Sequence, residues 1–77
     1  MERADLRAEL VELIEAHIEV PEADDAPLGL SSLALVELAE DLEERFGFLV
    51  RASDVTPDNF GSLGSLVAFV ARKRGAP

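Results

Sequence analysis

"GLSSLALVELAEDLEERFGF", residues 29–48, decides how this chain folds. At about 100° per residue, Leu35, Leu38, Ala39, Leu42 and Phe46 share one arc. Glu37, Glu40 and Glu44 lie opposite, with Asp41 and Glu43 on the flanks. That pattern predicts an amphipathic helix over 32–46. Ser31 or Ser32 supplies a hydroxyl suited to capping its start, and Gly47 is placed to end it in a left-handed conformation. Leu33 and Val36 break the pattern, because they sit on or beside the acidic face. Burying one large apolar side chain is worth about 1.5–3 kcal/mol, so two of them turned to solvent forgo stabilisation and call for another use.

Working outward, residues 3–19 carry Leu6, Leu10, Leu13, Ile14 and His17 on one stripe, with Val11 and Ile18 at its edge and five acids opposite. A first helix follows, which Pro21 bars from continuing. "PEADDAPLGL" (21–30) is a long loop, tied down by Leu28 and Leu30. After Gly47, Ser53 or Asp54 offers a cap and Pro57 suits a first turn, so a short helix is expected at 54–60. "GSLGSLVAFVARKRG" reads as a last helix over 62–74, with Leu63, Leu66, Val67 and Val70 inward and Arg72, Lys73 and Arg74 in its last turn, where cations suit the helix dipole. Strand-like alternation is missing. The expected fold is all-α, a four-helix bundle with a long first loop and a short third helix, in one domain spanning 1–77.

Composition narrows the partners. Sixteen acids against seven bases give a net charge of −9, which repels phosphate backbones and anionic lipid and favours basic protein surfaces. With no cysteine, the core rests on apolar side chains, and 48% hydrophobic residues suffice for it. No apolar run reaches the ~18 residues of a membrane span, and the charged start does not read as a signal peptide. A cytoplasmic monomer that meets neither nucleic acid nor membrane is expected.

Catalytic and metal motifs fail in turn. "GLSSL" has Leu33 where a nucleophile elbow needs its second glycine. His17, the one histidine, lies on the apolar stripe near a helix end, where packing or carbonyl capping is expected of it. A calcium loop beginning at Asp24 would have Ala26, Leu28 and Leu35 at ligand positions. "GSLGSL" lacks a phosphate-loop lysine. What stands is a surface: Leu33 and Val36 next to Ser32 at a helix start, rimmed by Glu37, Glu40, Asp41 and Glu44, which suits basic partners around an apolar contact.

These residues resemble the acyl carrier and peptidyl carrier proteins. The family pattern is an acidic loop ending in Gly-Leu-Asp-Ser-Leu, then a helix with Val-Glu-Leu, Leu-Glu-Glu and Phe. Here "GLSSL" (29–33), "VEL" (36–38), "LEE" (42–44) and Phe46 are in the same register. The resemblance implies a covalent 4'-phosphopantetheine on Ser32, installed by a phosphopantetheinyl transferase. It also implies cargo held as a thioester, and Leu33, Val36, Glu37, Glu40 and Glu44 as the docking face. Partners would be an acyl- or aminoacyl-loading enzyme and downstream synthase or tailoring enzymes, in polyketide or nonribosomal-peptide type metabolism; the protein itself would be no enzyme.

Two departures stand out: Ser31 replaces the usual Asp, and Glu40 stands where fatty-acid carriers often have an apolar residue. The space between the helices could shelter a short acyl chain or be filled by Phe46, Phe48, Phe60 and Phe69. Two rival uses of the same surface are a non-covalent helical binding module on the acidic second-helix face, and a minimal hydrolase using Ser32 and His17.

Overall fold

In the computed structural model the described residues are 3–75. Four α-helices form, α1 (Arg3–Glu15), α2 (Ser32–Phe46), α3 (Pro57–Phe60) and α4 (Leu63–Gly75), with a 3₁₀ turn at Ala52–Asp54. Among the described residues there is no strand, only an isolated antiparallel bridge between Pro27 and Ser62. The all-α expectation is met.

Each helix buries the stripe its periodicity marks. Leu6, Leu10 and Ile14 of α1, Leu38 and Leu42 of α2 and Leu63, Leu66, Val67 and Val70 of α4 join one core. Leu35, Phe46 and Phe48 pack against it at its edge. α4 lies against both α1 and α3, and α1 also meets α2. The phenylalanines fill the space at one end. Phe60 lies 5.4 Å from Phe69, Phe69 meets Phe48 edge-on at 6.1 Å, and Phe48 stacks on Phe46, so the rings touch in the offset and edge-to-face geometries they favour.

Three boundaries differ from the sequence expectation. α1 ends at Glu15, not at 19, and is followed by one further turn, in which Ile14 O accepts from both His17 N (2.9 Å) and Ile18 N (3.0 Å). His17 caps no carbonyl; its ring turns toward α2, as described below. The third element is split. Asp54 accepts from the Arg51 backbone N–H at 3.0 Å and caps no α-helix, and α3 starts with Pro57 after Thr56. The last helix begins at Leu63 and ends at Gly75, one residue off at each end, with the Ser62 hydroxyl accepting from Ser65 N at its start.

The long loop is held rather than loose. Leu28 N donates to Gly61 O and Gly64 N to Asp24 O, both at 2.9 Å, while Arg7 grips the Asp24 carboxylate through Nε and Nη2. The cations of α4 do more than meet a helix dipole: Lys73 pairs with Asp54 at 3.1 Å, Arg72 donates to Asn59 at 3.0 Å, and Arg74 lies over the Phe46 ring. Together the anchored loop and the split third element hold the two ends of α2 in place.

Candidate functional site

Ser31 and Ser32 are both exposed, yet they differ in role. Ser31 is the N-cap, in extended conformation (φ −70°, ψ 165°), and its hydroxyl accepts from Ala34 N at 3.2 Å. Its carbonyl takes the first helical bond, from Leu35 N. The capping question left open by the sequence is thus resolved in favour of Ser31. Ser32 is the first residue of the helix proper, its side chain exposed and not committed to capping.

Leu33 (68% exposed) and Val36 (57%) stand out to solvent, and with Leu49 (62%) they are the large apolar residues left most open among the described residues. Glu37, Glu40 and Glu44 are exposed along the same side of α2. The structure therefore brings all six predicted residues onto one continuous face that starts at a free hydroxyl. Asp41 is half-buried and engaged elsewhere.

That engagement involves His17. Its Nε2 lies 3.1 Å from Asp41 Oδ2 and its Nδ1 3.7 Å from Glu37 Oε1. Both ring nitrogens thus face carboxylates of α2, and neither is directed at a serine, which removes the general base a Ser–His hydrolase requires. Among the described residues no group of three or more His, Cys, Asp or Glu is arranged to hold a metal, and no helix is long and apolar enough to cross a membrane.

Three features of the site were missed by sequence reasoning. Glu43 Oε2 accepts from Val50 N at 2.8 Å, which seats the extended 48–51 segment beside α2. A groove of about 340 Å³ runs between them, with Val36, Ala39 and Glu40 on one side and Val50, Arg51 and Ala52 on the other. A second cleft of about 210 Å³ lies between Gly29, Leu30 and Leu35 on one side and Val55, Pro57 and Phe60 on the other. No periodicity within one helix signals a groove built from two segments, and the inward turn of Phe48 and Val50 and outward turn of Leu49 and Arg51 appear only in the structure.

Arg7 holds the Asp24 carboxyl below the usual carboxylate range through their hydrogen bonds. The Arg51 N–H and then Lys73 do the same for Asp54. Both acids support the scaffold of the site and lie off its exposed face.

The site meets the steric and electrostatic needs of a phosphodiester on Ser32. The hydroxyl is exposed, the first turn of α2 holds no acid to repel a phosphate, and the positive end of the helix dipole lies there. Comparison with known proteins gives the family. Aminoacyl carrier protein 1 of Bradyrhizobium diazoefficiens is 30% identical over 86% of this chain and 82% of its own length. Aminoacyl carrier protein 2 of the same organism is 30% identical over 73% of this chain and 63% of its own length. No solved structure matches significantly. Residues 4–70 match the family described as "Phosphopantetheine attachment site", and with the helical fold and the hydroxyl at its second helix this establishes that the chain belongs to that family of non-catalytic, phosphopantetheine-bearing carrier proteins.

Proposed function

We propose that the chain acts as a carrier domain in the cytoplasm, modified on Ser32 and carrying an aminoacyl group. The observation that supports this most is the exposed, uncommitted Ser32 hydroxyl directly followed by exposed Leu33 and Val36. Aminoacyl cargo is favoured over acyl cargo by the names of the two Bradyrhizobium relatives.

When bound, phosphopantetheine supplies a flexible arm ending in the thiol that takes the cargo as a thioester. The chain's own work is positioning. Ser31 keeps the start of α2 formed, so that Ser32 is presented at a rigid helix end instead of on a loop. Leu33 and Val36 give partners an apolar grip, and Glu37, Glu40 and Glu44 steer basic surfaces toward it, which raises encounter rates more than it lengthens residence. Weak docking suits a shuttle that must leave each enzyme, while tethering raises the local concentration of the cargo. The partners are a phosphopantetheinyl transferase, an amino-acid-loading enzyme and a downstream acceptor enzyme, in metabolism of the nonribosomal-peptide or polyketide type.

Intact-protein mass spectrometry after incubation with coenzyme A and a broad-specificity phosphopantetheinyl transferase tests this reading. One phosphopantetheine is added to the native chain and none to Ser32→Ala. Protein isolated from its own host then carries a further increment, released by hydroxylamine, whose mass corresponds to an amino acid. An unmodified native chain across several transferases would return the acidic face to the reading of a non-covalent binding module.

A further inference from the structure

His17 lies beneath the docking face rather than on it. Its side chain, in the turn after α1, is 12% exposed, and its backbone N–H is fixed on Ile14 O at 2.9 Å. Two acids of α2 face the ring. Asp41 Oδ2 stands 3.1 Å from Nε2, within hydrogen-bond range, and Glu37 Oε1 stands 3.7 Å from Nδ1, an ion-pair distance too long for a hydrogen bond. The next charged groups along that side of α2, Glu44 and Arg45, border a cleft with Leu13 and Asp41. Glu15 and Glu19, the nearest acids in sequence, are exposed, and among the described residues no other ion pair reaches the ring.

A carboxylate only accepts, and a neutral imidazole carries one N–H, so both acids are served only while the ring holds two protons. α1 has no basic residue in its last turn, and a cation just beyond its negative end is favoured there as well. When the ring gives up one proton, a hydrogen left on Nε2 keeps the short bond to Asp41, and the Nδ1 lone pair then opposes Glu37. Glu37 is the more exposed acid, 52% against 38%, and lies one turn beyond Leu33 on the side a partner covers. It is therefore the acid that is released.

We propose that His17 is a positioning residue that sets how much negative charge the docking face offers: as an imidazolium it holds and neutralises Glu37, and as a neutral ring it frees Glu37 for a basic partner. Histidine changes charge between about pH 5 and 8, so docking strengthens across that range as pH rises. The link to docking rests on the carrier reading of Ser32; the latch between His17 and Glu37 does not.

Ser32 modification by coenzyme A and a broad-specificity phosphopantetheinyl transferase, followed by intact mass at about pH 6 and about pH 8, compares the native chain with His17→Gln. The glutamine amide keeps a donor for Asp41 but holds no charge. Titration of the enzyme itself cancels in the ratio of the two kcat/KM values. That ratio, native over variant, rises about two- to five-fold with pH, carried by KM, and the rise disappears when both chains also carry Glu37→Gln. A ratio unchanged with pH, or a rise that survives Glu37→Gln, overturns the proposal.

A second readout needs no partner. In ¹³C-labelled native chain the Glu37 side-chain carboxyl signal moves in step with the His17 ring between about pH 6 and 8, by more than those of Glu40 and Glu44, and in His17→Gln it holds still. A Glu37 signal that ignores the ring, or equal steps at Glu37, Glu40 and Glu44, overturns the latch. Failure of the native chain to accept phosphopantetheine would instead overturn the carrier reading, with the latch still decided by this titration.

Discussion

At the scale of single residues, two positions at the ends of α2 decide whether Ser32 is presented. The Ser31 hydroxyl is the acceptor for Ala34 N, so Ser31→Ala lowers stability by about 1 kcal/mol, read as a fall in thermal midpoint of about 4–8 °C for a chain of this size. Ser31→Asp keeps an acceptor and adds the negative charge the helix start lacks, so its midpoint stays at or above the native value. Gly47 sits at φ 74° with open space around it. The loss in Gly47→Ala is therefore conformational, about 1 kcal/mol, again measured by thermal denaturation. These roles were legible in the sequence because capping and left-handed termination are local chemistry. Which of two adjacent serines is the cap was not, since the two side chains are identical and only backbone dihedrals separate them.

At the scale of elements, α2 is held by its buried stripe and by the segment that follows it. Leu38 is fully buried, so Leu38→Ala leaves a cavity under the docking face and costs about 2–5 kcal/mol in denaturant unfolding. The bond from Val50 N to Glu43 predicts a more local effect. In Glu43→Ala the Val50 amide loses its protection from hydrogen exchange while amides in the middle of α4 keep theirs, and a uniform loss of protection would contradict the idea that this bond acts only on the 48–51 segment. The third element shows where sequence reasoning stopped. Asp54 was a plausible cap, yet the Arg51 N–H and the Lys73 ammonium, the latter 19 positions away in sequence, claim its carboxylate. Likewise His17 continues the apolar stripe of α1 by spacing, but it lies in the turn after that helix, and the two acids that face it come from α2.

At the scale of the whole molecule, the charge balance governs both docking and acid stability. The exposed acids of α2 act through water, where screening sets in at about 10 Å in 0.1 M salt, so the rate of Ser32 modification falls as ionic strength rises while kcat holds steady. Asp24 and Asp54 are held below the usual carboxylate range in the folded chain. A carboxyl whose folded value is depressed adds stability that is present above its ordinary range and is lost as pH falls through the lowered folded value. Denaturant unfolding across that acid window thus shows a decline that is shallower in Asp54→Asn, with native and variant converging once Asp54 of the native chain is protonated.

The helices, the buried stripes and the odd placement of Leu33 and Val36 followed from the sequence by itself, because helical periodicity and capping act within a few residues. Only the tertiary structure decided that Ser31 and not Ser32 is the cap, that His17 turns to Asp41, and that Val50 and Arg51 build a groove with α2. Each of these depends on which side chains distant in sequence reach the same hydrogen-bonding group or border the same space.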